Sequence, residues 1–457
     1  MSSFKHNKLF VFSLMFAGFI GSLSQNMMTA ALPAILSSFH TDTAKGQWLT
    51  NIFILILGIT AAASAYLFSR FPTKKLVLSA LGIFMIGCAL SLSAQNFYVL
   101  LLSRLIQGVG AGVLIPTLQI SLLHIFPKEN HGQALGITGI IIGFAPAAGI
   151  TLAGVFVDSF GWRSIFLFLL ILGAAIWMFG FCFLQNIGTP LPVSMDYSSL
   201  FLYSAGAFFL MIATTFINAF PLPIWILLLL FAAGIVCLFR FAKRQLLLKS
   251  PLLELRLFCY TSVKYAAALF LITFTLMMCG TTLFPLYIQT ICGRSATFSG
   301  LLCLPGSIMI AVVSPAAGRL ADRFRPGPVC IAGALLLIIG TLPFIFFSQE
   351  SHMLLVCFIY TLQCTGIALL LTASLTMGVY RIPLAKRSHS TAILNSFRQV
   401  FGSLFASLLI TAAAMICAPS DLNLSGIRGA FLIMTAACVI LLFGSIRYHS
   451  REDPPKS

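Results

Sequence analysis

Arg104 is the charged residue that stands well inside an apolar run, in the stretch Arg104-Leu-Ile-Gln107-Gly-Val-Gly110. It lies about 10 Å from the end of that run at a helical rise of about 1.5 Å per residue. A guanidinium at such depth must face a cavity or a partner, because hydrocarbon solvates charge poorly. Two chemistries are open to it. It can sense the proton or substrate state of a cavity, or it can bond structurally to backbone carbonyls and to Gln107, one turn away on the same helix face. The acids follow the opposite pattern. All ten (Asp42, Glu129, Asp158, Asp196, Glu254, Asp322, Glu350, Asp421, Glu452 and Asp453) fall in loops, tails or the ends of apolar runs. No carboxylate reaches mid-depth, where proton relays and cation counter-ions are found. Strongly cationic substrates are therefore disfavoured, and Asp158, close in sequence to Arg163, is the nearest candidate for protonation.

Uncharged polar groups supply the candidate substrate contacts. Gln25 and Asn26 occupy the outer third of the first run, and Gln363 lies about 16 Å into the twelfth. Asn395, Arg398 and Gln399 occupy the inner part of the thirteenth. Each could instead simply bond a neighbouring helix, worth about 0.6 kcal/mol. In the fifth run Gly136, Gly139, Gly143, Pro146 and Gly154 share roughly 100° of one helical face, which suits either a bending gate or tight helix packing. Asp322 and Arg323 stand beside the end of the tenth run, where a carboxylate can brace a loop or cap a helix N-terminus.

The elements that position these residues follow from composition. Of 457 residues 59% are hydrophobic and 8% charged, against about 25% charged in soluble domains. The mean hydropathy is +1.03. Twelve cysteines show no CxxC or zinc-like spacing, so neither a disulfide framework nor a metal centre is implied. The net charge of +17 comes from basic residues in short gaps between apolar runs, not from a basic patch with its own fold. Nucleic-acid binding is accordingly not expected.

Spanning hydrocarbon takes roughly 20 apolar residues. Fourteen runs qualify: 9–31, 46–68, 76–94, 97–123, 133–157, 164–185, 198–217, 221–241, 264–289, 297–318, 328–348, 352–379, 391–416 and 428–447. The first follows Lys5 and Lys8 as in a signal peptide, but it is long enough to span and is read as a retained helix. Alternate gaps are basic: Arg70, Lys74 and Lys75; Lys128; Arg240, Lys243, Arg244, Lys249 and Arg256; Arg319, Arg323 and Arg325; Arg381, Lys386 and Arg387. Both ends are basic too, with Lys5, Lys8, Arg447, Arg451 and Lys456. The positive-inside rule then puts both termini in the cytoplasm, as an even number of spans requires. The gap at 186–197 carries no Lys or Arg and gives this assignment no support. Trp48, Trp162 and Trp225 fall near the expected outer ends, as in an interfacial aromatic belt.

The chain also repeats itself. Ala65-Tyr-Leu-Phe-Ser-Arg70-Phe parallels Gly318-Arg-Leu-Ala-Asp322-Arg323-Phe. The Arg104–Gly110 stretch parallels Tyr360-Thr-Leu-Gln363-Cys-Thr-Gly366, and His131-Gly-Gln-Ala-Leu parallels His389-Ser-Thr-Ala-Ile. All three offsets lie between 253 and 258 residues. A constant offset implies two six-helix halves, 1–190 and 246–457, with an inserted helix pair at 191–245. Paired halves around a midplane site are a common build of secondary transporters.

These stretches resemble the major facilitator superfamily, in particular its fourteen-span drug:proton antiporter branch, from about Ala31 to Leu442. Gly318-Arg-Leu-Ala-Asp322-Arg323 is similar to the family's inner-loop motif, and Arg104-Leu-Ile-Gln-Gly-Val-Gly-Ala-Gly112 to its fourth-helix motif. Gly143-Phe-Ala-Pro146-Ala-Ala-Gly149 through Gly154, with Asp158 and Trp162-Arg163, is similar to the antiporter fifth-helix motif. Pro251-Leu-Leu-Glu254-Leu-Arg256-Leu-Phe258 and Phe284-Pro-Leu-Tyr-Ile-Gln289 are typical of the fourteen-span branch. The chain departs from the family in three places. The stretch from Ser24 to the Ala31-Leu32-Pro33 turn lacks the usual acid. Ser69 replaces the Asp of the first loop motif, and Gly149-Ile150 replaces a Gly-Pro.

The resemblance implies an all-α integral membrane protein of the major facilitator fold. It implies an alternating-access secondary transporter, not an enzyme, that exports amphipathic or neutral small molecules. Coupling and gating would fall to Arg104, Gln107, Asp158, Arg163, Gly318, Asp322 and Arg323, and helix bending to Gly139, Gly143, Pro146, Gly149 and Gly154. It also implies a monomer in the inner membrane, protons as the coupling ion, and no cofactor or metal. Two other readings stay open. One is a transporter of a specific metabolite, in either direction or as a uniporter. The other is a membrane enzyme or transporter-derived sensor, which would need clustered titratable groups or a signalling domain. No GxxxxGK[ST] stretch is present, so the sequence gives no support to ATP-driven transport.

Overall fold

The computed structural model describes residues 2–187, 195–219, 223–248, 250–380, 382–416 and 424–451. Lys249, Arg381, Asp421, Glu452, Asp453 and Lys456 lie outside the described residues. The helices are α1 (Ser2–Phe39), α2 (Thr43–Arg70), α3 (Thr73–Leu92), α4 (Phe97–Ile125), α5 (His131–Phe160), α6 (Arg163–Phe183) and α7 (Tyr197–Ala219). They continue with α8 (Ile224–Leu247), α9 (Thr261–Leu286), α10 (Ala296–Phe324), α11 (Pro326–Thr341), α12 (Met353–Tyr380), α13 (Leu384–Ile416) and α14 (Leu424–His449). Among the described residues fourteen helices are long and apolar enough to cross a membrane, matching the fourteen expected runs. Helices suit this sequence because hydrocarbon leaves every backbone N–H and C=O to be satisfied within its own segment.

Several boundaries differ from the sequence reading: α8 runs to Leu247 where 241 was expected, α10 to Phe324 where 318 was expected, and α13 starts at Leu384 where 391 was expected. Two further differences involve proline. No turn forms at Pro33: α1 runs through it to Phe39. Proline costs one N–H bond and locally bends a membrane helix, and neighbouring helices re-satisfy the freed carbonyl. The eleventh span, Pro326–Ile345, is not α-helical throughout. Its α-helix ends at Thr341, and a 3-10 turn over Leu342–Ile345 holds Pro343, which cannot donate to an α-helical ladder. Gly161 adopts φ +77 between α5 and α6, a backbone region open to glycine without steric cost, and so lets the chain reverse in two residues.

The described chain divides into two compact units. The first comprises Met1–Ile125, Ala148–Leu257 and Leu384–Val400; the second comprises Phe126–Ala147, Phe258–Pro383 and Phe401–Ser457. In the first unit α4 packs on α1, α2 and α3, while α7 packs on α8 and α2. In the second, α12 packs on α9, α10 and α11. Both hubs are buried on every side over long stretches, α4 from Gly110 to Leu123 and α12 from Gly366 to Val379. Helices at the margin show the reverse: Trp225, Leu228, Leu229, Ile235 and Phe239 of α8 are exposed. An exposed apolar face of this kind suits hydrocarbon, not water.

The sequence repeat is present as a packing repeat inside each unit. A Cβ on Gly87 of α3 would collide with Gln107 of α4, and a Cβ on Gly340 of α11 would collide with Gln363 of α12. Gly110 lies against the α3 backbone at Ala80 and Phe84, and Gly366 lies against the α11 backbone at Gly333 and Leu337. In both units, therefore, glycine brings two backbones together beside a buried glutamine.

Candidate functional site

In the first unit Arg104 is fully buried. Its Nε donates to the Leu49 carbonyl at 3.2 Å, and its Nη1 to Ser24 Oγ at 3.0 Å and Gln107 Oε1 at 2.6 Å. The guanidinium carbon lies 4.1 Å from the centre of the Phe53 ring, in range for a cation–π contact. Gln107 Nε2 donates to Ser91 Oγ at 2.9 Å, and Ser91 pairs with Ser103 at 2.7 Å. Three helices thus meet at one cation, a fourth joins through Gln107 and Ser91, and every group bonded to the cation is neutral. The expected Arg104–Gln107 pair is present. Ser24, Leu49 and Phe53 are additional partners. They come from α1 and α2, 51 to 80 residues away in sequence, and helical spacing on α4 says nothing about them.

In the second unit Asp322, near the end of α10, meets the first turn of α5. The Gly132 amide donates to Oδ1 at 2.6 Å and the Gln133 amide to Oδ2 at 2.8 Å. These N–H groups have no partner within their own helix, and a carboxylate there also complements the helix dipole. Close packing makes the approach possible. A Cβ on Gly318 would strike the Gly132 carbonyl, one on Gly136 the Ser314 carbonyl, one on Gly139 the Ser314 side chain, and one on Gly143 Ile310. The α5 glycines therefore track one face of α10 for three turns. Pro146 continues that face and, with Gly143, Ile310, Tyr360 and Gln363, lines a small cavity. Arg323 is exposed and lies over the Phe324 ring at 5.2 Å, taking no part in the Asp322 contact.

The rest of the glycine face behaves differently. Gly149 packs on Asn26 and Leu23 of α1, and Gly154 has open space where a Cβ would be. The proximity of Asp158 and Arg163 in sequence does not become an ion pair. Asp158 is exposed, and Arg163 donates instead to the Ala94 carbonyl at 2.8 Å while stacking on Trp162 at 4.2 Å. Gly161 reverses the chain between the two, and the Arg163 side chain is drawn to a free helix-end carbonyl.

The substrate-contact candidates are scattered among several environments. Gln25 and Asn26 are half-buried, and Asn26 Nδ2 bonds its own helix at the Ser22 carbonyl, 2.7 Å away. Asn395 of α13 donates to Gln119 of α4, and Arg398 and Gln399 are buried in the same segment. The sequence reading omits Gln119, although a glutamine deep in the fourth run is a visible signal. Gln363 donates to Thr341 Oγ1 at 3.2 Å, and its Oε1 is buried with no hydrogen-bond partner. Among the described residues no three His, Cys, Asp or Glu side chains come together in a metal-binding group.

The model of the Major Facilitator Superfamily matches residues 14–407. The chain is 31% identical to the uncharacterized MFS-type transporter YcnB of Bacillus subtilis (strain 168), covering 98% of this chain and 96% of that one. It is 30% identical to the lincomycin resistance protein LmrB of the same organism, over 88% of this chain and 84% of the relative. Among solved structures, the human organic anion transporter MFSD10 superposes with a TM-score of 0.69 at 13% identity, over 96% of this chain and 99% of that one, a likeness of fold. Fourteen membrane-length helices, the paired packing repeat and the matched family model agree: the chain belongs to the Major Facilitator Superfamily and is a multi-pass membrane transporter of small molecules.

Proposed function

We propose that this transporter works by alternating access and exports amphipathic or neutral small molecules from the cell, with both termini in the cytoplasm. The six-helix halves 1–190 and 246–457 would rock about a central cavity, carrying the inserted pair 191–245. The observation that carries the reading is the contact of Asp322 with the first turn of α5. One half-buried carboxylate holds a helix end through two hydrogen bonds, beside a glycine seam that leaves few side chains to disentangle. Such a contact can break and re-form as a unit, as a cytoplasmic gate must. The basic residues Arg319, Arg323 and Arg325 beside it support placing this end on the cytoplasmic side. Export of drug-like molecules is supported by the similarity to a lincomycin resistance protein.

The test is accumulation of a broad dye and drug panel in cells with and without the protein, repeated with an uncoupler. Lower accumulation in expressing cells is expected. No change across the panel would defeat the export reading. Transport that survives the uncoupler would exclude protons as the driving ion.

A further inference from the structure

Arg104 carries a charge for which its surroundings hold no counter-charge. It is fully buried, and it makes no ion pair among the described residues. Its bonded partners are a hydroxyl, an amide oxygen and a backbone carbonyl, with the Phe53 ring face beyond them and the Cys88 thiol within electrostatic reach. The second terminal nitrogen, Nη2, is buried and has no hydrogen-bond partner. Desolvating a guanidinium is costly, and neutral acceptors return only part of that cost.

The packing repeat supplies an internal control. The second unit places Tyr360 where the first places Arg104, three residues before the glutamine that meets a glycine of the adjoining helix. Tyr360 is nearly as deeply buried, and it stacks on Phe284 with ring centres 3.9 Å apart. A large neutral side chain therefore satisfies the packing at this place in the fold. Packing alone does not account for a cation there, and a cation with one donor left unused is suited to an anion that arrives from outside.

We propose that Arg104 is the recognition point for an acidic group, such as a carboxylate, sulfonate or phosphonate, on the transported molecule, so that the substrates include organic anions. The proposal rests on the transporter reading above and names a substrate class for it. Nη2 supplies the donor for one acid oxygen, and the Ser24 hydroxyl beside Nη1 can turn to donate to a second. In the present conformation α1, α2 and α4 close over the guanidinium, so the acid reaches it by a local parting of these helices within the first unit, separate from the rocking of the halves.

Three probes with one ring system and different charge separate the outcomes: naphthoate, naphthamide and naphthylmethylammonium. Full-length protein in detergent is melted with each. Naphthoate should raise the melting temperature and the other two should not. Arg104→Gln should weaken naphthoate binding about thirtyfold or more, as for a charged partner truncated at a buried pair. An equal shift from naphthamide in the unaltered protein, or a naphthoate shift that survives in Arg104→Gln, overturns the proposal. If raising chloride alone reproduces the whole Arg104-dependent shift, the site takes an inorganic anion and the substrate assignment fails. Should Arg104→Gln not fold, Ser24→Asp places a carboxylate against Nη1, and the naphthoate shift should disappear; its persistence overturns the proposal. Flux of the three probes in vesicles keeps the two readings apart. Movement of naphthamide without naphthoate sinks this inference and leaves the transporter reading standing. Movement of none of the three, with the naphthoate melting shift intact, counts against the export reading alone.

Discussion

The Gly132 amide donates to Asp322 Oδ1 at 2.6 Å, although 190 residues separate the two in sequence. The second carboxylate oxygen takes the neighbouring amide of Gln133 at 2.8 Å. Both are charge-assisted bonds to N–H groups that the helix leaves unpaired. Replacing Asp322 by Ala should cost up to about 3–6 kcal/mol locally, the loss of two hydrogen bonds to a charged acceptor. Asp322→Asn keeps one acceptor oxygen and should lose about half as much. Hydrogen exchange reports this directly: the amides of Gly132 and Gln133 should exchange faster in Asp322→Ala, with Asp322→Asn between it and the unaltered protein. Unchanged exchange would show that the carboxylate does not hold the α5 end.

Much of this architecture could be read from the sequence, for identifiable reasons. The fourteen spans come from length and apolarity, which hydrocarbon enforces directly. The Arg104–Gln107 pair follows from helical spacing, and the repeat shows in constant offsets that the structure converts into the matched Gly87–Gln107 and Gly340–Gln363 contacts. Contacts between distant segments were harder to foresee. Ser24 and Phe53 reach Arg104 from two other helices, and no local pattern on α4 announces them. The Arg163 contact is of the same kind: the chain reverses after Asp158, and Arg163 turns to the Ala94 carbonyl of another segment.

The glycine face of α5 divides into a packed part and an open part, and the two should respond oppositely to alanine. A Cβ on Gly139 runs into the Ser314 side chain, so Gly139→Ala must push α5 from α10. Overpacking of this kind costs about 1–3 kcal/mol. Gly154 meets nothing within 4 Å, so Gly154→Ala should leave packing intact. It should also gain about 0.5–1 kcal/mol, because alanine loses less backbone freedom in a helix. Melting the two variants in the same detergent compares them. Equal losses would mean that the seam does not set the α5–α10 distance.

An ion pair ahead of α7 gives a pH dependence of known sign. Arg244 donates to both carboxylate oxygens of Asp196, at 2.8 and 3.0 Å, and Ser199 adds a third bond. The Arg244 bonds chiefly hold the Asp196 carboxyl down at about 2. A carboxyl depressed on folding stabilises the protein above its unfolded value of about 3.9 and loses that contribution as pH falls through its folded value. Arg244 is 43% exposed on its side chain, so solvent screens the pair and its contribution to stability is small. The melting-temperature gap between the unaltered protein and Arg244→Gln should hold from neutral pH down to about 4 and close on further acidification. A gap that widens toward acid would contradict the pairing.

Arg104 offers the sharpest separation of function from stability. If the buried charge served packing, an uncharged side chain of similar length should destabilise the first unit strongly, because it forfeits three hydrogen bonds from a charged donor, about 1.5–3 kcal/mol each. The neutral, buried Tyr360 at the matching place in the second unit argues for the other outcome. Met fills much of the arginine volume and needs no hydrogen bonds, while Ser24 and Gln107 remain in reach of each other at 3.3 Å. Arg104→Met should therefore reach the membrane at normal levels and melt no lower than the unaltered protein in the absence of substrate. It should also fail to lower accumulation of any compound that the unaltered protein exports. Arg104→Ala should lose transport as well, with some loss of stability from the cavity it leaves. Quantitative membrane blots, detergent melting and accumulation measured on the same preparations decide the matter. Full export by Arg104→Met would remove Arg104 from the transport mechanism, and a large drop in its melting temperature would make the residue structural.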